Sequence, residues 1–317
     1  MLHSPLLAIE LDILLLLAVA CVSVIALARV KFPYTVTLVI LGIGLGWLGE
    51  NVEAFEFFQQ LSLSHDLILF VFVPPLIFES ALNLDSRLLL RNLVPILTLA
   101  APGLLLSTAI VGTILSWGTP LELPQALLFG SLISATDPVA VIALFKELGA
   151  PKRLGILVEG ESLFNDATAI VTFNIILGAI VTGQGFGLPA LQAGGIAFLT
   201  SFVGGIVVGG LIGFLMQLPV SLSKENPLVL ATLTTIVAYA TFLFAEEGVG
   251  VSGVIAVVSA GMVLGWYKTN RLRHEARTYV SEFWEYLAFL ANSLIFLLAG
   301  LTVYRLQFFT QVGQTKT

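Results

Sequence analysis

The chain has 317 residues, of which 57% are apolar and only 11% charged, with a mean hydropathy of +1.01. A soluble globular protein carries about 25% charged residues, so this surface is itself apolar and its solvent is a lipid bilayer. The net charge of -6 is small and dispersed, which excludes a basic nucleic-acid face; the single Cys21 excludes a disulfide framework, and His3, His65 and His274 form no readable zinc cluster.

Apolar runs of about 17–25 residues fit a bilayer span, and ten are predicted in chain order. The first, 9–29, is apolar enough for a signal sequence, but Glu10 and Asp12 stand where a signal carries Lys or Arg, so it is read as a retained helix. Next come 33–49, 66–83, 88–117, 123–147, 152–182, 191–218, 227–245, 249–267 and 280–304. Several exceed one bilayer thickness, so tilt or a break is expected. The runs are continuously apolar and do not alternate, which excludes a transmembrane β-barrel. The expected class is an all-α integral membrane protein.

Loop charge sets the expected orientation. The odd loops carry Arg29/Lys31, Arg87, Lys146/Lys152/Arg153, Lys224 and Lys268/Arg271/Arg273/Arg277, whereas loops two, four and eight carry Glu50/Glu53/Glu56, Glu122 and Glu246/Glu247 without Lys or Arg. Positive charge stays in the cytoplasm, which puts the N-terminus outside.

Two short matches suggest an internal repeat. Gly42-Ile43-Gly44-Leu45-Gly46-Trp47 closes segment two and Gly261-Met262-Val263-Leu264-Gly265-Trp266 closes segment nine, at an offset of 219. Leu76-Ile77-Phe78 and Leu294-Ile295-Phe296 match at an offset of 218. Gly-Trp also closes unrelated helices at a membrane interface, but two matches at nearly one offset favour a repeat. Segments two and nine run in opposite directions, so the repeat is inverted, as in many secondary transporters. The expected organisation is a first repeat at 1–183 with six helices, a linker helix at 184–220, and an incomplete second repeat at 221–317. Counterparts of segments four to six would fall beyond residue 300 and end near residue 400, whereas the chain ends at Thr317, so three helices are expected to be missing from this chain.

Four acids fall away from the segment ends: Glu79, Asp137, Glu161 and Asp166. A charge at the bilayer centre costs roughly 2.5–3.5 kcal/mol on insertion scales, so such groups point to function. Asp137 precedes Pro138 in the middle of segment five. The proline has no N–H and its ring clashes with the preceding turn, so the helix should open there and free carbonyls such as that of Thr136 for a cation. Asp137 as a mere cap of the second half-helix leaves its mid-depth charge unexplained. On segment six, Ser162 and Asp166 are four residues apart and share a face, so both can offer oxygen to one small hard cation. Glu161 and Asn165 form a neighbouring stripe suited to a partner helix. Polar glue between helices is the plainer reading, but two acids exceed what glue requires. Glu79 follows Pro74-Pro75, which bend segment three; it reads equally as a ligand or as an acid snorkelling to the cytoplasmic end. No nucleotide-binding loop, potassium-type filter or nucleophile elbow occurs. No cofactor and no enzymatic activity are expected.

At these residues the sequence resembles the cation:proton antiporter superfamily, in its electroneutral sodium/proton exchanger branch. The resemblance is carried by Ala135-Thr136-Asp137-Pro138 and Glu161-Ser162-Leu163-Phe164-Asn165-Asp166. Pro74-Pro75-Leu76-Ile77-Phe78-Glu79, Phe283-Trp284-Glu285 and Asn292-Ser293-Leu294-Ile295-Phe296 support it. It implies an inverted-repeat antiporter fold with a discontinuous helix, thirteen helices of which about ten are present here, and a homodimer. It also implies Asp166 as the main carrier of cation and proton, with Ser162, the Thr136 carbonyl and Glu79 as further ligands and Asp137 close by. Asn165, in place of a second acid, marks the electroneutral branch. The resemblance further implies an arginine partner for Glu161 in a Gly-Leu-Arg-Gly segment, which this chain lacks.

The expected function is exchange of a monovalent cation, Na+ first, for H+ by alternating access in the bacterial plasma (inner) membrane, with the thylakoid membrane as the alternative location. The only metal is the transported ion. Rival expectations are a K+/H+ exchanger, a carrier of another substrate such as an organic anion, and an inactive or partner-dependent fragment.

Overall fold

The computed structural model describes residues 5–27, 34–52, 66–136, 148–183, 188–223 and 226–314, with isolated positions at 64, 138, 141, 142, 144 and 145. Helices occupy all ten expected segments. They are α1 (Pro5–Leu27), α2 (Tyr34–Asn51), α3 (Val73–Asn83), α4 (Ser86–Arg91), α5 (Leu93–Thr98) and α6 (Leu104–Gly118). After these come α7 (Leu123–Ile133), α8 (Lys152–Val181), α9 (Leu188–Leu222), α10 (Pro227–Leu243), α11 (Gly253–Arg271) and α12 (His274–Gln314). Among the described residues, the stretches Leu93–Gly118, Lys152–Val181, Gln192–Leu222, Pro227–Val249 and His274–Leu306 are long and apolar enough to cross a membrane. Of the charges that set the expected orientation, Arg29, Lys31, Glu53, Glu56, Lys146 and Lys224 lie outside the described residues.

The breaks expected in the long segments are placed by proline. Segment four divides into α4, α5 and α6, with a π-helical turn at Leu99–Gly103 that contains Pro102. A second π-helical turn, Leu67–Phe72, lies directly before Pro74 and Pro75. One extra residue in the turn relieves the clash of the ring with the carbonyl behind it and keeps the backbone bonded.

The chain divides into two compact units, Met1–Leu76 with Trp284–Thr317, and Ile77–Phe283. In the first, Leu16, Ala20, Leu38 and Phe72 pack with Ala291, Leu297, Leu298 and Leu301 of α12. Glycine sets the distance between α2 and α12: a Cβ on Gly42 would overlap the Leu297 carbonyl oxygen and come within 3.0 Å of the Gly300 Cα. Two polar contacts fix their register. The Tyr34 hydroxyl lies 2.8 Å from Ser293 Oγ, and the Tyr304 hydroxyl donates to the Glu50 carboxylate.

In the second unit, α9 and α11 pack through Gly205, Gly209 and Gly213, which face Ile255, Ala256 and Ala260. The pair α6 and α7 meets at Gly112 and Gly130. Helix α11 also lies on the part of α3 beyond Ile77: a Cβ on Gly261 would sit 2.8 Å from Ala81 Cβ, and one on Gly265 would sit 2.5 Å from the Leu82 carbonyl oxygen. The glycines matched at an offset of 219 thus do similar work: Gly42 and Gly265 each seat a helix against a backbone carbonyl, and Gly46 and Gly261 lie against the side chains of Tyr304 and Ala81.

This packing is directly testable. Gly42→Val should destabilise the protein by about 1–3 kcal/mol, the usual cost of overpacking. Gly44→Val, where a Cβ meets nothing within 4 Å, should be close to neutral. Thermal midpoints of the two detergent-purified variants, read against the parent, check both outcomes.

Candidate ion-binding site

The site is built around the break in segment five. Helix α7 stops at Ile133, the Ser134 N–H closes on the Gly130 carbonyl at 3.1 Å, and Ala135, Thr136 and Pro138 belong to no regular helix. Helical bonding resumes where the Ile142 N–H donates to the Pro138 carbonyl at 2.8 Å. Proline explains the extent of the gap. Pro138 cannot donate to the carbonyl four residues back, that of Ser134, and it disfavours a helical conformation at residue 137. The helix expected to run over 123–147 with an opening at Pro138 therefore ends one turn earlier. Asp137 itself lies outside the described residues.

The freed groups are received by α8. Ser162 Oγ donates to the Thr136 carbonyl at 2.8 Å. Asn165 Nδ2 donates to Glu161 Oε1 at 2.7 Å, and also reaches Thr136 Oγ1 at 3.3 Å and the Ser134 carbonyl at 3.5 Å. Asn165 is 3% exposed, and its Oδ1 is buried without a hydrogen-bond partner. The expected stripe of Glu161 and Asn165 therefore turns toward the broken segment, where Asn165 joins three groups, two of them on that segment.

Burial along α8 isolates one acid. Ser162, Leu163, Phe164, Asn165, Ala167, Thr168 and Ala169 are buried, whereas Asp166 in their midst is exposed. The Ser162 hydroxyl spends its only proton on the Thr136 carbonyl, so its lone pairs remain as acceptors one turn before Asp166. Ser162, the Thr136 carbonyl and Asp166 are all hard oxygen donors, the chemistry that suits an alkali or alkaline-earth cation.

Glu79 is half-buried on α3 and accepts from Asn83 Nδ2 at 2.7 Å, four residues along the same helix. Sequence reasoning missed what stands behind it. Lys268, counted above as a loop charge, is 6% exposed within α11 and donates to Asn83 Oδ1. The signal was present: Gly261, Gly265 and Lys268 recur at helical spacing on one face.

The model for the family described as "Sodium/hydrogen exchanger, transmembrane" matches residues 14–315. The chain belongs to this family. It is 44% identical over 248 residues to the Na(+)/H(+) antiporter ApNhaP of Aphanothece halophytica, covering 78% of this chain and 47% of the relative. It is 36% identical over 275 residues to the Na(+)/H(+) antiporter NhaP of Pseudomonas aeruginosa, covering 83% and 62% respectively. The solved structure of the sodium proton antiporter MjNhaP1 from Methanocaldococcus jannaschii at pH 8 superposes with a TM-score of 0.72 at 24% identity. That match covers 93% of this chain and 70% of the other, so the two share a fold. This exchanger-family chain is a multi-pass membrane protein, and it spans about half the length of the first curated relatives it matches.

The contacts of Asn165 predict its worth. Asn165→Ala should lower the stability of the detergent-purified protein by about 1–3 kcal/mol, because it strips a donor from Glu161 and from the opened backbone. A denaturation midpoint equal to that of the parent would contradict this account.

Proposed function

We propose that this chain carries the cation site of a secondary transporter that exchanges a monovalent cation, Na+ first, for H+. The observation that carries the reading is the coupling of the opened segment five to α8 through Ser162 and Thr136 beside the exposed Asp166. The antiporter names of the relatives and the shared fold support it.

Asp166 is the group that alternates between the two ions. With the cation bound, the carboxylate neutralises it while Ser162 Oγ, the Thr136 carbonyl and Glu79 replace part of its water. With a proton bound, the carboxylate is neutral and the site empties. One carboxylate can hold one charge of either kind, so the exchange is electroneutral. Asp137 and Pro138 shape the opening, and Asn165 with Glu161 hold it. Bound ions must leave again, so affinity is set by several modest ligands.

The same reading extends to the assembly. We place the first inverted repeat at 1–183, the linker helix at 184–220 and the second repeat from 221, with the reciprocal glycine packing in support. The protein works as a homodimer in the plasma membrane with its N-terminus outside, in keeping with the alternation of loop charge. Access alternates by movement of one bundle against the other.

The test is ion-driven proton flux in everted vesicles that contain the full-length protein, followed with a pH-sensitive dye. Addition of Na+ should dissipate an imposed gradient, and Asp166→Asn should reduce that response to background. Flux driven by K+ alone would reassign the cation, and undiminished flux in Asp166→Asn would remove Asp166 from the mechanism.

A further inference from the structure

A buried lysine stands behind Glu79. Lys268 is 6% exposed in the last two turns of α11. Its Nζ donates to Asn83 Oδ1 at 2.7 Å and to Ser281 Oγ at 2.9 Å, and Ser281 Oγ in turn donates to the same Asn83 oxygen at 3.1 Å. Asn83 Nδ2 then donates to Glu79 Oε1 at 2.7 Å.

The direction of these bonds is fixed by chemistry. An ammonium can only donate. The Ser281 hydroxyl, receiving from Lys268, gives its single proton to Asn83. Both donors converge on Oδ1, so the amide of Asn83 has one orientation, with Nδ2 turned to Glu79. A side-chain amide is normally free to flip by half a turn at little cost; here a flip would set an NH2 group against the ammonium. The donor chain therefore runs one way, from the charge of Lys268 to the carboxylate of Glu79.

The backbone holds the lysine in place independently. Gly261, Gly265 and Lys268 share one face of α11, and the two glycines bring that face onto Ala81 and Leu82 of α3. The closest approach is at Leu82, next in sequence to Asn83. A buried ammonium is costly unless it is hydrogen-bonded, and two of its acceptors here, Asn83 and Ser281, lead to Glu79. Packing alone would be served by an apolar residue at this position.

We propose that Lys268 is a positioning residue of the cation site, which orients the Glu79 carboxylate through Asn83. The proposal rests on the assignment of Glu79 as a cation ligand. It deepens that assignment by adding Lys268, Asn83 and Ser281, none of which touches the ion. The ammonium sets the carboxylate's rotamer, and so its reach toward the cation, without competing for the site.

Cation affinity is the readout, measured as the Na+ concentration dependence of proton flux in vesicles with the full-length protein, with 22Na+ binding to purified protein beside it. Lys268→Met should raise the KM for Na+ by about tenfold, the loss of one charge-assisted hydrogen bond, with the maximal rate kept within about twofold. Lys268→Arg, which retains a donor and the charge, should recover most of the affinity. The double variant Glu79→Gln/Lys268→Met should bind no more weakly than Glu79→Gln alone, because Lys268 acts only through Glu79. Should Lys268→Met fail to fold, Asn83→Leu cuts the same chain in its middle and should raise the KM alike. An unchanged KM in Lys268→Met or Asn83→Leu overturns the proposal, as does a double variant whose effect is the product of the two single ones. Asp166→Asn separates the failure modes: if it and Glu79→Gln both exchange normally, the site assignment has failed and the positioning role goes with it.

Discussion

A helix opened inside a bilayer has no water to satisfy the groups it exposes, so something else must receive them. That constraint organises the second unit. Pro138 withholds the proton that the Ser134 carbonyl would have bonded, and the interruption also frees Thr136. Helix α8 answers with Ser162 and Asn165, one turn apart from Asp166 and Glu161 respectively along the same stretch. The break is therefore held open at fixed width, and its geometry is set by side chains whose own helix is continuous. Fixed carbonyl dipoles beside an ionisable oxygen are what a small cation needs in place of its hydration shell.

Much of this was legible in the sequence, because both ingredients are local. A proline in an apolar run announces an opening, and a serine four residues before an aspartate announces a shared face. The extent of the gap was harder to read. Its upstream edge at Ile133 depends on a carbonyl four residues before the ring, and on Asn165 approaching that carbonyl from another helix. The stripe of Glu161 and Asn165 could be read as a face for a partner helix, but which helix it meets could not, because spacing tells which residues share a face and not where the face points.

Lys268 was misread for a related reason. A lysine close to the end of an apolar segment is ordinarily a cytoplasmic charge, and its neighbours Arg271 and Arg273 fit that pattern. Only the contact of α11 with α3 reveals that the ammonium is buried, and that contact is made by two glycines whose significance depends on what lies opposite. The π-helical turns beside Pro74 and Pro102 were similarly hidden. A bend could be expected there, but whether it is taken up as a kink, a break or a widened turn depends on the room that surrounding helices leave.

The seating of α2 on α12 has a consequence for biosynthesis. Gly42 meets Gly300, 258 residues further along the chain. At a synthesis rate of about 5–20 residues per second, roughly 13–50 seconds separate their emergence from the ribosome. Through that interval α2 presents a bare backbone stripe to lipid or to the insertion machinery, holding a place for a helix not yet made. The first unit therefore closes only after Ile77–Phe283 has been made.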